Sequence, residues 1–267
     1  MCYSKEVSLI VSIILFTFCF SYWQYYKNKI HANLKPFLAY VLLGLAIGGG
    51  GHQLSEFLSL QFQSQIIYKI GLVLSISSMY LFMRSLEVLT NYKFYSNYIL
   101  LIIAAIAGHI VSITHEFSAV GFWVQGKAHV LWGMAWLLLF IYWHACTVYV
   151  IKHSSKTRIH ALKEYLFDVL DISFVIAGVY VVISLIGRKL TFWQDAPSIW
   201  CTFAVIQMAF IPRLMHVINK AYNHKEKKHD LSIKNEILII IAAIIVFVVL
   251  ALVVKALPYW TTRFLFR

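Results

Sequence analysis

Long apolar runs, each about twenty residues, alternate along the chain with short polar connectors. The last run, residues 236–254 (EILIIIAAIIVFVVLALVV), carries one charge, at its first position. At helical rise it extends about 28 Å, close to the hydrocarbon thickness of a bilayer. No water reaches backbone groups at that depth, so a spanning segment is a helix or a strand of a closed barrel. These runs are too long and too continuously apolar for alternating barrel strands. The pattern predicts an all-α fold, a polytopic transmembrane helical bundle of about eight spans. They are expected near 7–26, 37–57, 66–86, 98–116, 128–150, 169–187, 198–218 and 236–256. Pro36 suits a helix start, and Pro258 follows the end of the last span. No connector is long enough to hold a soluble domain, so residues 1–267 are expected to form a single integral membrane domain.

The first run could pass for the core of a signal peptide. Lys5 is offset by Glu6, however, and no small-x-small cleavage site follows. Tyr22, Trp23, Tyr25 and Tyr26 follow instead, an aromatic belt ahead of Lys27 and Lys29. It reads as a retained first span.

Composition supports the same class. The chain is 61% hydrophobic and 13% charged, whereas a soluble domain is about a quarter charged because its surface must be wetted. Its net charge of +12 sits mainly in the connectors. Those near 27–35, 84–97, 152–167 and 213–234 hold 15 of the 23 Lys and Arg, and the rest of the chain holds 8. The positive-inside bias then puts these connectors in the cytoplasm and both termini outside, in a plasma membrane or a bacterial inner membrane. The stretch 220–230 (KAYNHKEKKHD) is the clearest cytoplasmic loop. The expected surroundings are the lipid bilayer, anionic lipid headgroups at the basic loops, and other membrane subunits; nucleic acid is not among them. Cys2, Cys19, Cys146 and Cys201 form no CxxC and point to neither a zinc ribbon nor a disulfide framework.

Ionisable side chains inside a membrane are expensive, so their positions are the best functional clue. On this topology His52, Glu56, His115, Glu116 and His129 fall toward the outer ends of three spans, with His109 one to two turns deeper. In the second span Gly44, Gly48, His52 and Glu56 recur every fourth residue, one slightly drifting stripe. Small residues at that spacing let helices approach closely, which predicts packing against the fourth or fifth span and carries His52 and Glu56 inward. Ala104, Gly108 and His115 share a face of the fourth span, and Gly126, His129 and Gly133 align in the fifth. The four glycines 48–51 lack the context of a phosphate loop and read as a close contact or a locally unwound segment.

Imidazole with carboxylate is a ligand set for a transition metal, so His52, Glu56, His109, His115, Glu116 and His129 form a candidate metal or redox site. Haem b is the alternative cofactor. His129 and His144 lie 15 residues apart on one span, with His216 as a possible facing ligand. A transporter or channel would use the same groups for protons or a polar substrate. A structural or assembly subunit would use them only to tie helices together. Glu164, Asp168 and Asp171 form an acidic face that suits the start of the sixth span. No Ser-His-Asp order, HExxH or Walker sequence is present, so the pattern names no catalytic residue.

Overall fold

The computed structural model describes residues 5–94, 99, 102, 106, 141–153, 156–171, 192–221, 229–230, 237, 238, 241 and 245. These residues are mostly helical. Helix α1 is Lys5–Tyr26, α2 is Lys35–Leu45 and α3 is His52–Phe62, with a π-helical segment, Ala46–Gly51, joining α2 to α3. Helix α4 is Gln65–Thr90, α5 is 141–152 and α6 is Lys156–Tyr165. A second π-helical segment, Leu166–Asp171, continues α6, and α7 is Phe192–Ala221. Three stretches, Ser8–Tyr26, Ala32–Phe62 and Ile66–Thr90, are long and apolar enough to cross a membrane. They coincide with the first three expected spans.

Helix α2 starts with Pro36 in its first turn, where a missing N–H costs nothing. Between α3 and α4 the chain reverses within two residues: Gln63 adopts a left-handed conformation and Ser64 N–H donates to Ser59 O at 3.0 Å. So short a turn forces α3 and α4 to lie antiparallel. Glycines set how closely the pair approaches. A Cβ on Gly44 would stand 2.9 Å from the Phe82 ring, and one on Gly48 would stand 2.5 Å from Ser78 Cβ. Near the turn, a Cβ on Gly71 would meet Ser55 Cβ at 2.8 Å. Gly71 and Ser78 are seven apart, two small residues facing the second span. Among the described residues the partner of Gly44 and Gly48 is the third span, because the tight turn makes the sequence neighbour a packing neighbour; most of the fourth and fifth spans, expected as partners, lies outside the described residues.

Helix α1 packs on the same unit. Cys19 Sγ donates to Leu42 O at 3.2 Å and Ser12 Oγ to Gly50 O at 3.0 Å, which fixes an antiparallel register. The Phe16 ring lies over Gly50, while Ile10, Ile13 and Phe20 are exposed. Isolated described positions further along are helical and exposed as well. Ile99, Ile102 and Ile106 make one stripe, and Ile237, Leu238, Ile241 and Ile245 another.

An aromatic core joins α2, α4, α5 and α6. Phe82 stacks on Trp143 at 5.1 Å between centroids, and Tyr165 meets Trp143 at 6.0 Å and Phe37 at 5.9 Å. The four basic connectors meet around this end of the bundle. His31 N–H donates to Asn219 Oδ1 at 3.2 Å. Strand β1 (Tyr92–Lys93) pairs in parallel with β2 (His229–Asp230), Tyr92 opposite His229. Tyr165 hydrogen-bonds Ser85.

Candidate functional site

The glycine run is what shapes the first polar site. Glycine is a poor helix former, and four in succession leave the turn free to widen into a π-helical segment. Absent side chains let Ser78 and Phe16 approach this backbone from opposite helices. Regular helix resumes at His52. On α3 the side chains of Gln53, Ser55, Glu56 and Ser59 are all buried, with Glu56 only 2% exposed. Glu56 Oε2 accepts a hydrogen bond from Gln53 Nε2 at 3.4 Å, and Ser55 Oγ donates to His52 O at 2.7 Å.

His52 is the unusual member. Its Nδ1 is buried against Gly71 of α4 without a well-formed hydrogen bond. Its ring lies 6.2 Å from the fully buried Tyr68 ring, and the Glu56 carboxylate acts on it electrostatically. Ser8 Oγ of α1 is also buried without a hydrogen-bond partner. Continuing the α1 register one turn beyond the Ser12–Gly50 bond puts Ser8 level with Gln53. Two buried polar atoms without a well-formed hydrogen bond, Ser8 Oγ on α1 and His52 Nδ1 on α3, therefore sit at similar depth, His52 one turn from the buried Glu56. Such groups cost free energy in an apolar surrounding unless something satisfies them.

Of the six residues expected to form one site, His52 and Glu56 stand together. His109, His115, Glu116 and His129 lie outside the described residues. Among the described residues no three His, Cys, Asp or Glu side chains converge as metal ligands. His144 Nε2 is 2.6 Å from Asp171 Oδ1, and His216 is on an exposed face of α7. Ser8, Gln53 and Ser59 were not anticipated as neighbours of the site. Their signal in the sequence is polar residues at helical spacing inside apolar runs: Ser8 with Ser12, Gln53 with Glu56, Ser55 with Ser59.

A second polar cluster lies at the end where the basic connectors meet. Arg213 Nη2 of α7 is 2.7 Å from Glu164 Oε2, and His160 Nδ1 is 4.0 Å from Glu164 Oε1. Asp168 follows one turn on, in the second π-helical segment, with its side chain closed to solvent and neither carboxylate oxygen hydrogen-bonded. Burial, reinforced by the neighbouring Glu164 charge and only partly offset by Arg213, pushes the Asp168 carboxyl up to about 6. Arg84 and Glu87 of α4 form an ion pair nearby in sequence with Phe94, whose N–H donates to Glu87 Oε1 at 3.0 Å. Comparison of the chain with protein-family models, curated proteins and solved structures gives no match.

Proposed function

We propose that this chain is a multi-pass integral membrane protein of about eight spans that handles protons or a small polar solute at His52 and Glu56. The exposed isoleucine stripes at 99–106 and 237–245 support further lipid-facing spans beyond the first three. The meeting of the four basic connectors at one end supports a cytoplasmic assignment for that end. Both termini then lie outside, in a plasma or bacterial inner membrane, and α3 carries His52 and Glu56 toward the outer surface.

The observation that carries the reading is the buried His52 Nδ1, which has only a poorly formed contact with the Gly71 backbone, one turn from a buried carboxylate and beside a π-helical break. A purely structural histidine would satisfy that nitrogen. Breaks of this kind inside membrane helices accompany binding sites, because they free backbone groups where a ligand can use them. The same nitrogen also favours a second reading, a transition-metal site completed by His109, His115, Glu116 or His129, or a haem b held between His52 and His129, with His144 and His216 facing each other at a second, inner level.

Reconstitution into vesicles loaded with a pH-sensitive dye, under an imposed potassium diffusion potential, separates these readings. Proton flux that is lost in Glu56→Gln and His52→Gln supports proton handling. Stoichiometric metal, or a haem absorption band, in the purified protein transfers the site to the metal reading. Neither proton flux nor cofactor, with no uptake of small polar solutes by the same vesicles, leaves a structural subunit and ends both.

A further inference from the structure

The second polar cluster has a graded line of titratable groups on one helix face. His160, Glu164 and Asp168 are four apart, and their side chains are 70%, 14% and 0% exposed. The line runs from solvent into the closed interior, where Asp168 has two unbonded carboxylate oxygens. A buried carboxylate in that state is tolerated as the neutral acid, not as the anion. Asp168 also stands one residue ahead of the expected sixth span, near enough to the surface for exchange with water.

Arg213 introduces competition. Its guanidinium, 55% exposed, sits on Glu164 and not on Asp168. Two acids and one nearby cation hold one negative charge too many if both acids are ionised. Among the described residues, two neighbouring groups are already engaged: Asp171 pairs with His144 of α5, and His160 is next to Glu164. Arg213 is therefore the cation that an ionised Asp168 would draw on.

We propose that Asp168 is a proton-binding site at the basic end of the bundle, reached from solvent through His160 and Glu164, whose ionised form pulls Arg213 away from Glu164. The step is a proton transfer alone. The O–H bond of the Asp168 carboxyl breaks, and the proton passes by way of Glu164 and His160 to water. The carboxylate left behind is neutralised by the guanidinium. Because α7 carries Arg213, protonation of Asp168 changes how α7 is held against α6. This inner site does not depend on His52 or Glu56, and either can fail without the other.

Infrared difference spectroscopy of the full chain in lipid nanodiscs, titrated from about pH 4 to about pH 8, tests it. The expected result is a protonated-carboxyl band with a midpoint of about 6 that Asp168→Asn removes. Glu164→Gln should lower that midpoint, by about one unit or more, and Arg213→Gln should raise it. These opposite movements identify the band even if the Asp168→Asn protein does not fold. A band titrating near the ordinary carboxylate value of about 4, no such band, or a midpoint that neither neighbour moves overturns the proposal.

Discussion

Ser85 Oγ and Tyr165 OH lie 2.9 Å apart, although 80 residues separate them in the chain. The phenol also donates to Phe82 O at 3.1 Å, so one side chain from α6 contacts both a hydroxyl and a backbone carbonyl of α4. Tyr165 is fully buried, and burial pushes its phenol well above the usual tyrosine range. The ring stays neutral and serves as a donor. A double-mutant cycle with Tyr165→Phe and Ser85→Ala should give a coupling of about 0.5–1.5 kcal/mol in detergent unfolding. Additive effects would mean that the two hydroxyls do not share a bond.

Gly48 has no room for a side chain where it meets Ser78. Replacing Gly48 with Ala or Leu should destabilise the protein by about 1–3 kcal/mol, the usual penalty of overpacking. Ile13→Leu, at a position 55% exposed, should be close to neutral. Ser78→Gly should restore part of the loss in Gly48→Ala, because it removes the atoms that clash. Thermal unfolding in one detergent reads all four proteins, and equal tolerance at 48 and 13 would show that the α2–α4 contact is loose.

The end of the bundle that collects His31, Tyr92, Tyr165, Asn219 and His229 should face the cytoplasm. Reporter fusions after Tyr92, Ser155 and Lys225 are expected to be active only as cytoplasmic reporters. Activity on the opposite side at two of the three reverses the orientation and moves His52 and Glu56 to the cytoplasmic half.

Much of this architecture is legible in the residue order, for definite reasons. Runs such as 7–26 and 66–86 declare themselves because a bilayer demands a length of apolar helix that few soluble segments have. The stripe Gly44, Gly48, His52 also reads correctly as a close contact, since small residues at that spacing have few other uses in a membrane. Its partner could not be read, because a glycine stripe fits any helix with a complementary surface. The deciding fact was the tightness of the turn at Gln63 and Ser64. The glycine run suggested a close contact or a locally unwound segment; the structure has the close contacts, with Ser78 and Phe16, and widens the helix while keeping it continuous. Asp168 was hidden for another reason. An acid at the start of a span has a ready explanation in the helix dipole, and only the three-dimensional placement of Glu164 and Arg213 shows its carboxylate closed off and unbonded.

Stability should depend on pH through Asp168, and the sign follows from its raised pKa. The group binds its proton more tightly in the folded state, at about 6, than in an unfolded chain, where the ordinary value is 3.8. Between these two values the folded state holds more protons than the unfolded one, so stability falls as pH rises. Below the window both states are protonated and above it both are ionised, and the contribution is flat. Other carboxylates and histidines titrate over the same range, so the informative quantity is the difference between wild type and Asp168→Asn. An asparagine keeps the shape of the neutral acid and never ionises. The variant should gain thermal stability relative to wild type as pH is raised from about 4 to about 6, and the gain should then level off. Adding Glu164→Gln should shrink the difference, because it removes the charge that helps hold Asp168 neutral and frees Arg213 to pair with it. A difference that grows in the opposite direction, with wild type gaining over the variant as pH rises, would show that Asp168 is ionised and well paired in the folded protein.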